Sequence, residues 1–173
     1  MIYGEKIYLR AMEPEDVDLL YKWENDTKIW QVSNTVIPFA KHILKDFIEN
    51  SSNDIYIDKQ LRLIIVDSAD DSPVGALDFF EFDPTNRRAG IGILIAEEKR
   101  NKSFASETLS VIIPYAFNTL HLHQLFCNII EESDISLKLF KKHGFKVTGT
   151  KKDWTLAKGE WKNVLFLQLI NDE

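Results

Sequence analysis

The residues from Arg87 to Ile113, RRAGIGILIAEEKRNKSFASETLSVII, bring together groups that can hold an anion. The stretch reads as a strand, a polar loop carrying cations, and an amphipathic helix. The first N–H groups of a helix have no partner inside it, and its dipole favours negative charge at that end. Arg100 and Lys102 stand immediately before the helix start, which suits a phosphate-bearing ligand. A solvated turn ahead of an ordinary helix is the alternative that this segment leaves open.

Other reactive side chains are sparse. Cys127 is the single cysteine and sits in the apolar run LFCNII, so it reads as a packed core thiol rather than a nucleophile. A lone cysteine rules out an internal disulfide framework and fits a reducing compartment. His121 and His123 alternate in LHLHQL with no carboxylate-rich partner motif, so no metal site is expected. The net charge of −6 argues against a general nucleic-acid binder and suits a cationic substrate.

The elements that must position these groups follow from pattern. The 173 residues are 45% hydrophobic and 28% charged, the profile of one globular domain spanning 1–173. No apolar run is long enough for a membrane span and the N-terminus lacks a signal-peptide apolar core, so a cytoplasmic protein without a membrane partner is expected. Lys6 to Met12 alternates like a strand. Glu13-Pro14-Glu15-Asp16 opens a helix, continued by Val17, Leu20, Tyr21 and Trp23. A second helix is expected from Phe39 to Asn50. Strands are expected at Leu61 to Asp67, Val74 to Phe82 and Arg88 to Ile95, with a turn at Asp83-Pro84-Thr85-Asn86.

Ser103 is placed as the N-cap of a helix whose stripe runs from Ala105 to Leu120, with Pro114 kinking it or ending it early. Gln124 to Ile130 reads as a strand, Asp134 to His143 as a helix stopped by Gly144, and Phe145 to Thr150 as a strand. A last hairpin turns at Ala157-Lys158-Gly159-Glu160 and returns through Val164 to Ile170. The result is an α+β, mixed α/β domain with a largely antiparallel sheet.

Four segments carry a resemblance: IYLRAMEPEDVDLLYKWEND, VGALDFFEFDPTNRRAGIGILI with its loop and helix, SDISLKLFKKHGF, and KGEWKNVLFLQLI. In this order and spacing the chain resembles the GNAT superfamily of acetyl-CoA-dependent N-acetyltransferases. It is most similar to the branch of spermidine/spermine and ribosomal-protein N-terminal acetyltransferases. The resemblance implies a twisted, mostly antiparallel sheet of about seven strands flanked by about four helices. It also implies acetyl-CoA as cosubstrate. The pantetheine arm would pair with a splayed strand end, here Ile93, Leu94 and Ile95. The pyrophosphate would lie on the loop and first helical turn, here Arg100, Asn101, Lys102, Ser103, Phe104, Ala105 and Ser106. Ser133, Ser136, Phe140 and Lys142 complete the implied cofactor set.

Departures from the family pattern are specific. Asn101 and Ser103 stand where glycine is usual, and glycine allows positive φ and close approach to phosphate. Asparagine tolerates the left-handed region better than most residues. Ser103 has a Cβ that crowds the ligand and a hydroxyl that could bond it. Ser133 stands where asparagine is frequent. Phe140 replaces the tyrosine that protonates the leaving thiolate in many relatives, so that acid function is absent; a thiol of pKa ~8.5 is a fair leaving group unassisted. Gly90 replaces the glutamate that many relatives carry in the strand.

A neutral amine must attack the thioester, so a base must take its proton. Asp78, Glu81 and Asp83 are the remaining acids, with Glu81 ranked first and Asp83 beside it. In a regular strand Asp78 and Glu81 lie on opposite faces, and Glu81 and Asp83 share one. In the family the first two helices choose the acceptor. Here Trp23, Glu24, Asn25, Asp26, Trp30 and Gln31 mix acids and aromatics that suit a cationic amine. Arg87 and Arg88 read as surface residues. The acceptor is expected to be a polyamine or another small cationic amine, ahead of a protein N-terminus. A CoA-binding sensor with little turnover is the rival, and a scaffold with a disused pocket the third reading. Relatives imply a homodimer or a larger homo-oligomer.

Overall fold

The computed structural model describes every residue except Asn34, Asn53 and Glu173, and the side chains of residues 31–33 also fall outside the description. Strands β1 (Ile2–Tyr3) and β2 (Ile7–Ala11) are followed by helices α1 (Val17–Glu24), α2 (Thr27–Ser33), α3 (Lys41–Asn50) and the single turn α4 (Ile55–Asp58). Then come β3 (Leu61–Asp67), β4 (Pro73–Asp83), β5 (Arg88–Ile95), α5 (Phe104–Pro114), β6 (Gln124–Ile130), α6 (Asp134–Lys142), β7 (Lys146–Ala157) and β8 (Glu160–Ile170). All eight strands form one sheet in the order β1-β2-β3-β4-β5-β6-β8-β7. Every neighbouring pair is antiparallel except β5 with β6.

The fold class agrees with the sequence reading, and the differences are local. The sheet has eight strands rather than seven, because the two-residue β1 adds to one edge. Among the described residues there are six α-helices where about four were expected. α2 and α4 have seven and four residues, too short to show a periodic stripe. The strand expected to end at Thr150 runs on to Ala157, because two register shifts carry it past positions where simple alternation fails. The closing turn lies where expected. Lys158 and Gly159 both take positive φ, as a two-residue hairpin turn requires.

Apolar alternation sorts the sheet into two faces. Leu63, Ile65, Leu77, Phe79, Ile91, Leu125, Cys127 and Leu167 point to the side covered by α5 and α6, where they meet Leu109, Ile112, Leu137 and Phe140. Ile64, Val66 and Ala76 point to the other side, where Leu20 and Trp23 of α1 and Leu44 and Ile48 of α3 cover them. On that second face Leu94 of β5 joins the same packing, while Phe80, Phe126 and Phe166 contact one another further along the sheet. Arg10 and Asp16 fasten the entry to α1. The guanidinium donates to both carboxylate oxygens at 2.7 and 2.8 Å, and the Glu13 amide adds a third bond at 2.8 Å. Burial pushes the Asp16 carboxyl up, but these bonds and the Arg10 charge outweigh it and hold it below the ordinary value.

Helix α5 ends at Pro114, and the chain continues as a wide turn over Tyr115–Thr119, closed by Leu120 N–H donating to the Tyr115 carbonyl at 3.1 Å. Proline lacks the N–H that would continue the α ladder, and the wider turn absorbs the mismatch.

Candidate active site

The parallel ladder between β5 and β6 is short. It has three rungs, Arg88↔Gln124, Ala89↔Leu125 and Gly90↔Phe126. On its other side β5 stays paired with β4 through Ile95, which lies opposite Gly75. Past Gly90, therefore, Ile93, Leu94 and Ile95 present toward β6 a backbone edge with no strand partner. An extended ligand with amide groups can pair with such an edge as a strand would.

This open edge leads directly into the cationic loop. Asn101 has φ +62° and Ser103 has φ +66°. Both therefore adopt the left-handed backbone for which glycine is usual, and the loop keeps the shape despite carrying side chains. Ser103 occupies the N-cap position, yet its hydroxyl makes no capping bond: a left-handed N-cap does not aim its side chain at the first helical N–H groups. Those amides are left for an outside acceptor. Arg100 folds back, its Nε donating to the Ile95 carbonyl at 3.2 Å, while Lys102 is exposed. Phe104 is 5% exposed and anchors the helix start in the core, so it holds the loop in place from below. Ala105 and Ser106 lie half-buried in the first turn.

A cluster of two expected residues, Ser106 and Lys142, with His143, which the sequence reading missed, completes this end. Ser106 Oγ lies 2.9 Å from His143 Nε2, and Lys142 Nζ donates to the same oxygen at 3.4 Å. Burial, and then the Lys142 charge, hold the His143 imidazole below its ordinary pKa. His143 follows the last residue of α6 and meets Ser106 across the gap between two helices, a pairing that no local spacing signals. Ser133 stands at the N-cap of α6 and accepts the Leu137 amide through its backbone carbonyl at 3.0 Å. Ser136 is half-buried on the first turn. Phe140 is 6% exposed and stacks edge-on against Phe145 at 5.1 Å, so its ring is a core element. Cys127 is likewise core, its thiol pushed up to about 12 by burial.

The acids fall into different surroundings. β4 bulges between Phe80 and Asp83, with Glu81 at φ +48°, so the regular alternation expected for Asp78, Glu81 and Asp83 breaks there. Asp78 lies opposite Gly92 and is gripped by Arg62, whose Nε and Nη2 donate at 2.7 and 3.0 Å. The same guanidinium pairs with Glu24. Asp83 accepts from the Asn86 amide and side chain at 2.9 and 2.7 Å, which keep its carboxyl below the usual range, and pairs with Arg88 at 3.2 Å. Glu81 is exposed and has no ion pair among the described residues.

Gly90 has a steric reason. A Cβ there would stand 2.2–2.6 Å from carbons of the Phe80 ring. Phe80 meets Phe126 edge-on at 5.6 Å, and Phe126 lies 5.4 Å from Phe166. Aromatic surface thus fills the place where a carboxylate on β5 would project. Beside it a groove of about 810 Å³ is lined by Glu81, Asp83, Arg88, Phe126, Lys151 and Phe166, among others.

The acid and aromatic set expected to receive an amine is engaged internally. Trp23 is 4% exposed and packs with Leu20 and Leu44, so its indole serves the core and cannot face a ligand. Glu24 is held by Arg62. Asp26 accepts from the Lys28 amide at 3.0 Å at the start of α2, and Trp30 Nε1 donates to the Glu24 carbonyl at 2.7 Å. Asn25 ties α1 to the segment before α3 through Phe39. The side chain of Gln31 lies outside the described residues. Arg87 donates to the His121 carbonyl at 2.6 Å, a surface tie between loops.

Comparison with known proteins agrees with this geometry. The family model for the acetyltransferase (GNAT) domain matches residues 6–146. An uncharacterized N-acetyltransferase, p20, of Bacillus licheniformis is 30% identical over 99% of this chain and 97% of its own length. The spermidine N(1)-acetyltransferase of Escherichia coli is 23% identical over 94% of this chain and 84% of its own. Among solved structures, the spermidine N-acetyltransferase of Vibrio cholerae in complex with CoA and spermine superposes with a TM-score of 0.86, at 21% identity and 95% coverage of each chain, a likeness of fold. The short ladder that opens beyond Gly90, the left-handed loop at the start of α5 and the family match over most of the chain place this protein in the GNAT acetyltransferase family.

Proposed function

We propose that this GNAT acetyltransferase moves the acetyl group of acetyl-CoA to a primary amine by direct attack. The observation that carries the reading is the join between the unpaired edge of β5 and the left-handed loop before α5. A pantetheine arm fits the edge at Ile93, Leu94 and Ile95. The pyrophosphate fits the first amides of α5 over residues 101–106, with Arg100 and Lys102 supplying positive charge nearby. Lys142 and His143, joined through Ser106, suit a further phosphate contact. Ser133, Ser136 and Phe140 flank the arm from α6.

The chemistry balances without a covalent enzyme intermediate. The amine nitrogen lone pair attacks the thioester carbonyl carbon, a C–N bond forms, and the C–S bond breaks. The amine proton goes to a base, and the thiolate leaves and is protonated from water. An amide N–H of the open β5 edge suits the oxyanion. Glu81 and Asp83 are the proposed bases. Glu81 is the better placed chemically, because Asp83 is held ionised by Asn86 and Arg88. Cys127 supplies no nucleophile, since its buried thiol is un-ionised at neutral pH.

Two acceptor classes go with this reading. The names of spermidine acetyltransferase relatives support a small polycationic amine. The ribosomal-protein branch of the resemblance supports an α-amino terminus. A homo-oligomer is the proposed assembly, supported by a dodecameric V. cholerae structure with a TM-score of 0.80 and by the exposed Trp154, Leu156 and Trp161 on the β7–β8 hairpin. No helix among the described residues is long and apolar enough to cross a membrane, in keeping with the proposed cytoplasmic location.

Calorimetric titration with acetyl-CoA, followed by assay of released CoA over a panel of amines, tests the reading. Binding with turnover on one amine class is expected. Binding without turnover on any amine favours the sensor, and no binding at millimolar acetyl-CoA overturns the cofactor site.

A further inference from the structure

We infer that the acceptor is a zwitterionic amine with a flat apolar group, of the aromatic amino acid type, and that Lys151 selects it through its carboxylate. The inference rests on the acetyl-transfer reading and names, for the same site, an acceptor other than the two classes that the relatives' names and the resemblance support. The groove on the face opposite α5 and α6 runs along the β5–β6 ladder from the Arg88–Gln124 rung to Phe126, the partner of Gly90 in the last rung before the strands part. This groove offers an amine a route to a thioester in the opening beyond Gly90.

Its charge does not suit a polyamine. The lining holds three cations, Lys59, Arg88 and Lys151, against two acids, Glu81 and Asp83. Asp83 is already satisfied by Arg88 and Asn86. The nearby acids Glu24 and Asp78 are spanned by Arg62. A chain of ammonium groups needs a row of free carboxylates, and Glu81 alone remains among the lining acids. Lys151 has the opposite character. Its Nζ donates to Asn128 Oδ1 at 2.9 Å and lies 5.0 Å from the Trp154 ring centroid and 5.6 Å from that of Phe166. It has no carboxylate partner among the described residues. An ammonium over aromatic rings with donors to spare is a receiver for a carboxylate. The floor between Lys151 and that last rung is Phe126 and Phe166, a stacking surface for a flat side chain.

The test compares kcat/KM for L-tryptophan, tryptamine and spermidine in the wild-type protein and in Lys151→Gln and Lys151→Arg. Lys151 is on the outer strand β7, and glutamine can keep the Asn128 bond, so both variants fold; thermal melting checks this. L-tryptophan is expected to exceed tryptamine about tenfold, the size of one charge-assisted contact, and to exceed spermidine by more. Lys151→Gln should lower kcat/KM for L-tryptophan about tenfold, ending its preference over tryptamine, and Lys151→Arg should restore it. Spermidine turned over best, with no effect of Lys151→Gln, overturns the acceptor class and leaves acetyl transfer intact. Bound acetyl-CoA with no turnover of any amine overturns both.

Discussion

At Gly90 the chain lacks the glutamate that many GNAT relatives carry, and the reason is visible in one neighbour. The Phe80 ring occupies the volume that any side chain on residue 90 would enter. The two residues act as a pair: a small residue on β5 admits a large one from β4. Gly90→Ala should therefore destabilise the fold by about 1–3 kcal/mol, the usual size of an overpacking defect. Adding Phe80→Leu should recover most of that loss, and urea denaturation of the single and double variants measures the coupling. Additive losses would show that the ring and the glycine are independent. Phe140 makes a similar point. Its edge-on contact with Phe145 gives the aromatic ring a packing role that persists without a hydroxyl.

Among the elements, the loop between β5 and α5 holds its shape against residue preference. Asn101 and Ser103 both sit in the left-handed region. Outside glycine that region costs about 1–2 kcal/mol, less for asparagine. The neighbouring contacts offset the cost: Phe104 is buried below the loop, and Glu107 N–H donates to the Ser103 carbonyl at 3.0 Å. Ser103→Gly should raise stability by about 0.5–1 kcal/mol, since relief of strain exceeds the added unfolded-state entropy. It should leave acetyl-CoA affinity equal or tighter. A tenfold weaker affinity on calorimetry would mean that the Ser103 hydroxyl itself holds the phosphate. The β5 end of the loop is tethered as well. Lys22 and Lys28, on α1 and α2, pair with Glu98 and Glu97 just after β5 at 2.8 and 2.7 Å, exposed contacts that orient more than they stabilise.

For the whole molecule, the parallel pair at the centre of an otherwise antiparallel sheet is the decisive feature. β5 and β6 run side by side for three rungs and then part, each still held by its outer neighbour. The gap needs no hinge, because both walls are fixed from outside. A ligand that fills it binds the folded state alone. Acetyl-CoA at a hundred times its Kd should stabilise the protein by about 2.7 kcal/mol. That corresponds to a rise in Tm of about 5–11 °C for a chain of this size. No shift at saturating cofactor in differential scanning calorimetry would argue that the gap is not the binding site.

Local pattern reached far in this chain. The boundaries of β3, β5 and β6, the stop of α6 at Gly144 and the turn at Lys158-Gly159 were legible, because each rests on alternation or on a backbone that glycine favours. The family match was legible because four segments stand in the family's order and spacing along the chain. The short helices α2 and α4 and the bulge in β4 were not, since each departs from a period within a few residues. The acceptor side was least legible. The sequence showed acids and aromatics together at Trp23, Glu24 and Asp26, but burial of Trp23 and the Arg62 bridge were set by strands far along the chain.

The sequence by itself determined the fold class and the loop that suits a phosphate, through short-range periodicity and backbone preference, and the GNAT membership, through the resemblance of four segments in order. Tertiary structure alone decided which charges remain free. Arg62 neutralises two acids from different elements, Phe80 closes the site above Gly90, and Lys151 comes to rest over Phe166 beside Asn128. These are pairings between different elements, and their energies depend on distance and burial, quantities that no local run of residues contains.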